Sequence, residues 1–198
     1  MNQILNQDAQ ERIFLNARSH AGWQDKPVSD DQLRELYDLA RWGPTSMNCL
    51  PMRLVFLTSN EAKARLKPAL AEGNTSKVQA APVTVIVAYD TQFYEHLPTL
   101  FPHMDNAQAM YANNAVLSEQ TAFRNSSLQG AYLILAARSL GLDTGPMSGF
   151  ENNRVDLEFF PEGNYKSNFL LHIGYGDPAK LHQRGPRLDF DDACTIYK

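Results

Sequence analysis

"WGPTSMNCLPMRLVF", residues 42–56, passes through three kinds of chain. It opens at the end of a helix, because Gly43 frees the backbone and Pro44 cannot continue a helix. It closes in "RLVFLT" (53–58), an apolar run that reads as a strand. Between them lie Pro44, Thr45, Ser46 and Asn48. Such residues have little reason to gather in a core, so this loop is a candidate binding element.

Upstream, Ser29 and Gln32 form an S-x-x-Q capping box that starts the helix leading into the loop. Leu33, Leu36, Tyr37 and Ala40 then fall on one face. Before it, "DAQERIFLNARS" (8–19) carries Ile13, Phe14 and Ala17 at helical spacing. Downstream, "NEAKARLKPALA" (60–71) reads as a helix broken near Pro68, which lacks the N–H that a helix needs. "VTVIVAY" (83–89) is a buried strand. Residues 91–117 hold no period and are rich in aromatics and proline; irregular chain of that length is usually functional. A long helix over 118–140 follows, in which Ser127 and Gly130 leave room for close approach. "GLDTGPMSGF" (141–150) reads as a second loop, "NFLLHIGYGD" (168–177) as the third strong strand, and the remainder as an extended tail. Strands separated by helices without strict βαβ alternation predict one α+β domain across residues 1–198, with a central sheet flanked by helices.

The composition narrows the function. The 198 residues are 43% hydrophobic and 20% charged, with a net charge of −4, enough for a real core. A mildly acidic chain gains nothing from counterion release, so no nucleic-acid partner is expected. The stretch "GAYLILAARSLGL" (130–142) is too short to span a membrane and contains Arg138, so no membrane partner is expected either. The N-terminus lacks a signal-peptide pattern, and Cys49 and Cys194 form no metal or disulfide spacing; a cytoplasmic protein with reduced thiols is expected. His20, His96, His103, His172 and His182 make no metal motif. Ser148 lacks the glycine a hydrolase elbow places two residues before it. There is no G-x-G-x-x-G and no P-loop. No residue is assigned a catalytic or metal-ligating role. What remains is a distributed polar and basic set: "ARSH" (17–20), "NTSK" (74–77) and "RGPR" (184–187).

Along nearly its whole length the sequence resembles the FMN-dependent nitroreductase family. The phrases that carry the resemblance are "GWQDKPVSD", "WGPTSMNCLPMRLVF", "KPAL", "APVTVIVAYD", "EHLPTLFPH", "TAFRNSS", "GLDTGPMSGF", "KSNFLLHIGYGD" and "PRLDFDDAC". Within the family it is most similar to the subgroup that reduces malonic semialdehyde to 3-hydroxypropionate in bacterial pyrimidine degradation. The resemblance implies a nitroreductase-like fold and a homodimer with FMN at its interface. It implies NAD(P)H as hydride donor, with ping-pong transfer through flavin N5. Pro44, Thr45, Ser46 and Asn48 match the loop that covers the flavin bound mainly by the other chain. Arg18, Ser19 and His20 match the element at the phosphate and ribityl chain. Asn74 and Lys77 match the N-x-x-K at the pyrimidine edge. Pro146, Met147, Ser148 and Gly149 match the loop near N5, where Gly145 and Gly149 would let backbone approach the ring. Arg184 and Arg187 match the C-terminal basic pair near the phosphate.

The chain departs from the family at three places. Ala21 and Gly22 stand where many members have a second basic residue, Leu50-Pro51-Met52 replaces Gln-Pro-Trp, and Ser148-Gly149 replaces Glu-Gly. Residues 91–117, with Phe93, Tyr94, Phe101, His103 and Tyr111, form either a substrate-side lid or a dimer-packing excursion. The alternatives for function are a general nitroaromatic or quinone reductase and a flavin-binding protein without turnover.

Overall fold

The computed structural model describes residues 3–198. The chain begins with α1 (Gln7–Gln10), which runs into a π-helical turn (Glu11–Leu15). It then forms α2 (Asp30–Ala40), β1 (Met52–Leu57), α3 (Asn60–Ala64), α4 (Thr75–Ala80) and β2 (Val83–Asp90). After these come α5 (Leu97–Leu100), α6 (Ala107–Ala112), α7 (Ala115–Ser139), β3 (Asp143–Met147), α8 (Asn152–Phe159), β4 (Tyr165–Gly174) and α9 (Phe190–Ala193). The four strands make one antiparallel sheet in the order β1-β2-β4-β3.

Strand alternation sorts the core into two faces. Val83, Val85 and Val87 of β2 and Leu171 and Ile173 of β4 point to the face covered by α2 and α7, meeting Leu33, Leu36, Leu133 and Ala137. Ile86, Ala88 and Leu170 point to the other face, meeting Leu66, Val78, Val155 and Phe160. β2 has a neighbour on each edge and helices on each face, so all eight of its residues are buried. A third cluster closes one end of the sheet, where Phe93, Leu97 and Tyr111 pack on Cys49 and Tyr89.

The helix α2 starts as its sequence dictates: the Ser29 hydroxyl accepts from Gln32 N, and Gln32 Oε1 accepts from Ser29 N. Several expectations need correction. Tyr37 is 47% exposed, on the flank of the α2 stripe. Residues 8–19 do not make one regular helix; Phe14 is exposed and the chain leaves the helix after Leu15. The 141–150 loop contains an edge strand, β3, in which Pro146 is tolerated because pairing is needed on one side only. Asn152–Phe159, unassigned from sequence, is a helix. The 91–117 segment is built of short helical turns. Gly130 makes room for the Phe169 ring, not for another backbone.

Candidate cofactor site

The fold divides the sequence-predicted residues between opposite edges of the sheet. Most gather along β3. Ser19 bridges Thr144, and His20 N donates to Thr144 O at 2.9 Å, so residues 18–20 run parallel beside the strand. Gly145 permits this: a Cβ there would strike the His20 carbonyl oxygen. Past the end of β3, Asn74 Nδ2 donates to Gly149 O at 2.9 Å and Lys77 Nζ donates to Asn74 Oδ1 at 3.1 Å. A Cβ at Gly149 would strike the Asn74 amide. Both glycines therefore already accommodate protein groups. The C-terminal segment is laced to the same place, with Arg18 donating to His182 O and Arg184 donating to Ala17 O at 3.0 Å. Arg187 donates only to the carbonyls of Gly185 and Pro186 in its own segment.

One side chain differs from the rest. His20 turns inward, 7% exposed, with its ring against Gly176 and Nε2 at 3.9 Å from Asp143. Its backbone, not its ring, lines the edge. Arg18, Lys77, Arg184 and Arg187 have no carboxylate partner among the described residues, whereas Arg41, Arg53, Arg65, Arg154, Lys166 and Lys180 each have one. Arg18 and Arg184, which tie residues 17–18 to the C-terminal segment beside β3, are unneutralised cations that suit an anion such as a phosphate, which guanidinium groups bind in forked geometry.

Pro44, Thr45, Ser46 and Asn48 lie instead before β1, at the opposite edge. Three inter-strand spacings separate the two edges, about 14 Å. The loop is held in an unusual shape. Met47, Asn48 and Leu50 all take left-handed backbone conformations, with φ of 51°, 50° and 40°. Side chains fix it in place. Ser46 N donates to Asn125 Oδ1 at 2.9 Å, Leu50 N donates to Thr45 Oγ1 at 3.2 Å, and Asn48 Nδ2 donates to Leu100 O at 3.0 Å. Non-glycine residues held at positive φ require such over-determination and cluster at functional sites.

Sequence reasoning missed two groups that shape this region. Asn125 anchors the loop from the middle of α7, and no local pattern marks it. His172, 2% exposed, lies on β4 opposite Gly145, with its Nδ1 at 3.1 Å from Thr84 Oγ1 and its Nε2 without a partner. Burial, then Lys77 and Lys63, push its pKa down to about 4, so it is neutral at physiological pH. Period-two alternation with Leu170 could have placed it on the α4 face. Burial pushes the Cys49 thiol up to about 11, which removes thiolate chemistry from the loop.

Known proteins share this fold. A family model described as "Nitroreductase family" matches residues 16–175. A Burkholderia lata protein, provisionally named an NADH dehydrogenase/NAD(P)H nitroreductase, is 61% identical over 97% of this chain and 98% of its own length. A provisionally named nitroreductase of Bacillus subtilis superposes with a TM-score of 0.87 at 20% identity, covering 97% of this chain and all of its own. Another from Exiguobacterium sibiricum, solved in complex with FMN, gives a TM-score of 0.85 at 24% identity and covers both chains in full. The two structures speak for the fold. The length of the family match and the identity to the Burkholderia protein go further: this chain belongs to the nitroreductase family and is an oxidoreductase of that type.

Proposed function

We propose that the protein is a homodimeric FMN-dependent reductase that takes hydride from NAD(P)H and delivers it to a small carbonyl substrate, malonic semialdehyde. The observation that carries this reading is the division of the site. Unneutralised cations and exposed backbone gather at the β3 edge, while the strained polar loop leads into β1, the edge strand three inter-strand spacings (about 14 Å) across the sheet from β3. One chain thus holds two halves that do not meet within it, and a second copy would bring the loop of one onto the β3 edge of the other. The Burkholderia relative's name supplies the NAD(P)H donor, and the Exiguobacterium structure supplies FMN.

FMN, when bound, supplies the hydride-carrying ring that serves donor and acceptor in turn. This chain's residues do the rest. Arg18, Arg184 and Arg187, with the backbone N–H of Ser19, would hold the phosphate end by charge-assisted bonds, each contributing about 1.5–3 kcal/mol. Lys77, steadied by Asn74, would place positive charge at the pyrimidine edge, where charge develops on reduction. Pro146, Met147, Ser148 and Gly149 would set one wall. Pro44, Thr45, Ser46 and Asn48 of the other chain would form the cover and exclude water. The exposed face of α7 beside the loop, with Phe123, Leu128 and Tyr132, and the 76% exposed Trp42, provides apolar surface for that contact.

The test is anaerobic addition of NADPH to the purified protein. A yellow protein that bleaches supports the reading; a colourless protein that takes up no FMN sinks it. Steady-state rates then separate the acceptors. If quinones or nitroaromatics turn over quickly while the semialdehyde stays at background, the general reductase replaces the favoured substrate. Light scattering tests the dimer, and a monomer that retains FMN contradicts the shared site.

A further inference from the structure

The segment that follows Arg18, Ser19 and His20 reads "GWQDKPVSD" and takes no part in the site above. It forms one wall of a separate cavity of about 600 Å³, whose other walls come from Thr58, Lys63, Gln79 and Pro82. This cavity lies at the C-terminal end of α4, whereas Asn74 and Gly149 meet at the N-terminal end.

Lys63 is only 4% exposed, and its Nζ donates to Gln79 O at 3.2 Å and Ala81 O at 2.8 Å. An ammonium has three N–H groups, so one remains. No carboxylate pairs with it among the described residues. Burying an ammonium without a counter-charge is costly, and burial accordingly pushes the Lys63 pKa down. Trp23, 6% exposed and lining the same cavity, has an indole N–H with no partner among the described residues. Lys26 adds a second ammonium, 3.6 Å from the centre of the Tyr175 ring, also without a carboxylate. Asp25 is the one acidic residue in the walls, so the lining carries a net positive charge.

We propose that this cavity is a second ligand site, taking the anionic oxygen group of a small molecule, carboxylate or phosphate, on Lys63 with Trp23 beside it. Lys63 keeps one N–H unspent beyond its two carbonyl acceptors, and the Trp23 indole N–H has no partner among the described residues, so an oxyanion supplies an acceptor to each. The cavity's size limits the occupant to a small molecule. Its donors are distinct from Arg18, Arg184 and Arg187, the cations assigned above to the FMN phosphate.

The test uses the FMN-saturated protein at constant ionic strength, titrated separately with inorganic phosphate and with acetate. Trp42→Phe leaves Trp23 as the only tryptophan, and its emission is followed together with calorimetry. The expected result is a saturable change with one anion or both, weakened about tenfold or more in Lys63→Met, as loss of a charge-assisted bond requires. A response to phosphate alone identifies a phosphate ester as the ligand class, and a response to acetate alone a carboxylate. No saturable change with either anion overturns the proposal, as does binding that survives Lys63→Met. Should that variant not fold, Trp23→Phe keeps the ring and removes the N–H, and undiminished binding there overturns it equally.

Discussion

The two edges of the sheet carry the two halves of the proposed site by opposite means. At the β3 edge the backbone is regular, and specificity of shape comes from missing side chains: Gly145 yields to the His20 carbonyl and Gly149 to the Asn74 amide. At the β1 edge no glycine stands at the strained positions. Met47, Asn48 and Leu50 hold left-handed conformations, and bonds from Asn125, Thr45 and Leu100 keep them there. One half is shaped by absence and the other by restraint. The first should therefore fail by overpacking and the second by losing a tether.

The buried titratable groups His172, on β4 beside the β3 edge, and Cys49, in the loop before β1, set the widest contrast, because they respond to opposite ends of the pH scale. His172 has its pKa lowered from 6.5 to about 4 by burial and by Lys77 and Lys63. Below pH 6.5 the unfolded chain takes up a proton that the folded chain refuses until about pH 4. Stability contributed by this group is therefore complete above 6.5 and lost as pH falls towards 4, about 3 kcal/mol in all. Cys49, raised from 9.0 to about 11 by burial, does the reverse. The unfolded thiol ionises first, so stability falls as pH rises from 9 to 11, by a similar amount of about 3 kcal/mol. Urea melts across pH should show His172→Asn flattening the acid limb alone and Cys49→Ala the alkaline limb alone. Matching limbs in variant and parent would remove the assigned residue from either role.

Next in size is overpacking at the β3 edge. Gly145→Ala drives a methyl into the His20 carbonyl and is expected to destabilise by about 1–3 kcal/mol. Residues 18–20 would be pushed off the strand, so FMN retention after dialysis should fall with it. A variant as stable and as yellow as the parent would mean that residues 18–20 are not held by this contact. The tether comes after it. Asn125→Ala leaves Ser46 N without its acceptor, at about 1–2 kcal/mol. Because the loop is assigned to the other chain's site, catalytic efficiency should drop more than FMN affinity. Equal losses in both would argue that the loop and the phosphate contacts belong to one chain.

How much of this was legible in the sequence follows from the range of the forces involved. The start of α2 was readable because Ser29 and Gln32 satisfy each other locally. The buried strand β2 was readable because its apolar run is continuous. β3 was not, since its Gly145 and Pro146 are loop residues by composition and become strand only through pairing with His172 and Leu171. The loop's residues were identifiable, but its conformation was not. Left-handed φ at Met47 and Leu50 runs against local preference and is imposed by Asn125, 79 positions away in sequence from Ser46. The grouping of Arg18, Asn74, Lys77, 146–149 and Arg184 was visible only through family resemblance, because nothing in their spacing brings them to one edge.

The smallest effect is also the most direct probe of restraint. Met47→Gly removes the Cβ penalty of a left-handed residue, which favours the folded state, but it frees the unfolded chain by a comparable entropy. The two terms nearly cancel, so stability should change by less than about 1 kcal/mol. The contact from the Tyr111 hydroxyl to Met47 Sδ, at 3.7 Å, is weak and is lost with the side chain. What changes is the loop's need for its tethers. In the Met47→Gly background, Asn125→Ala should be milder than in the parent, because less strain is waiting to be released when Ser46 N loses its partner. A double-mutant cycle reads this coupling directly. Strictly additive effects would mean that the left-handed backbone and the Asn125 bond are independent, and the loop would then be shaped by its packing on Tyr111 and Leu100 instead of by restraint at Ser46.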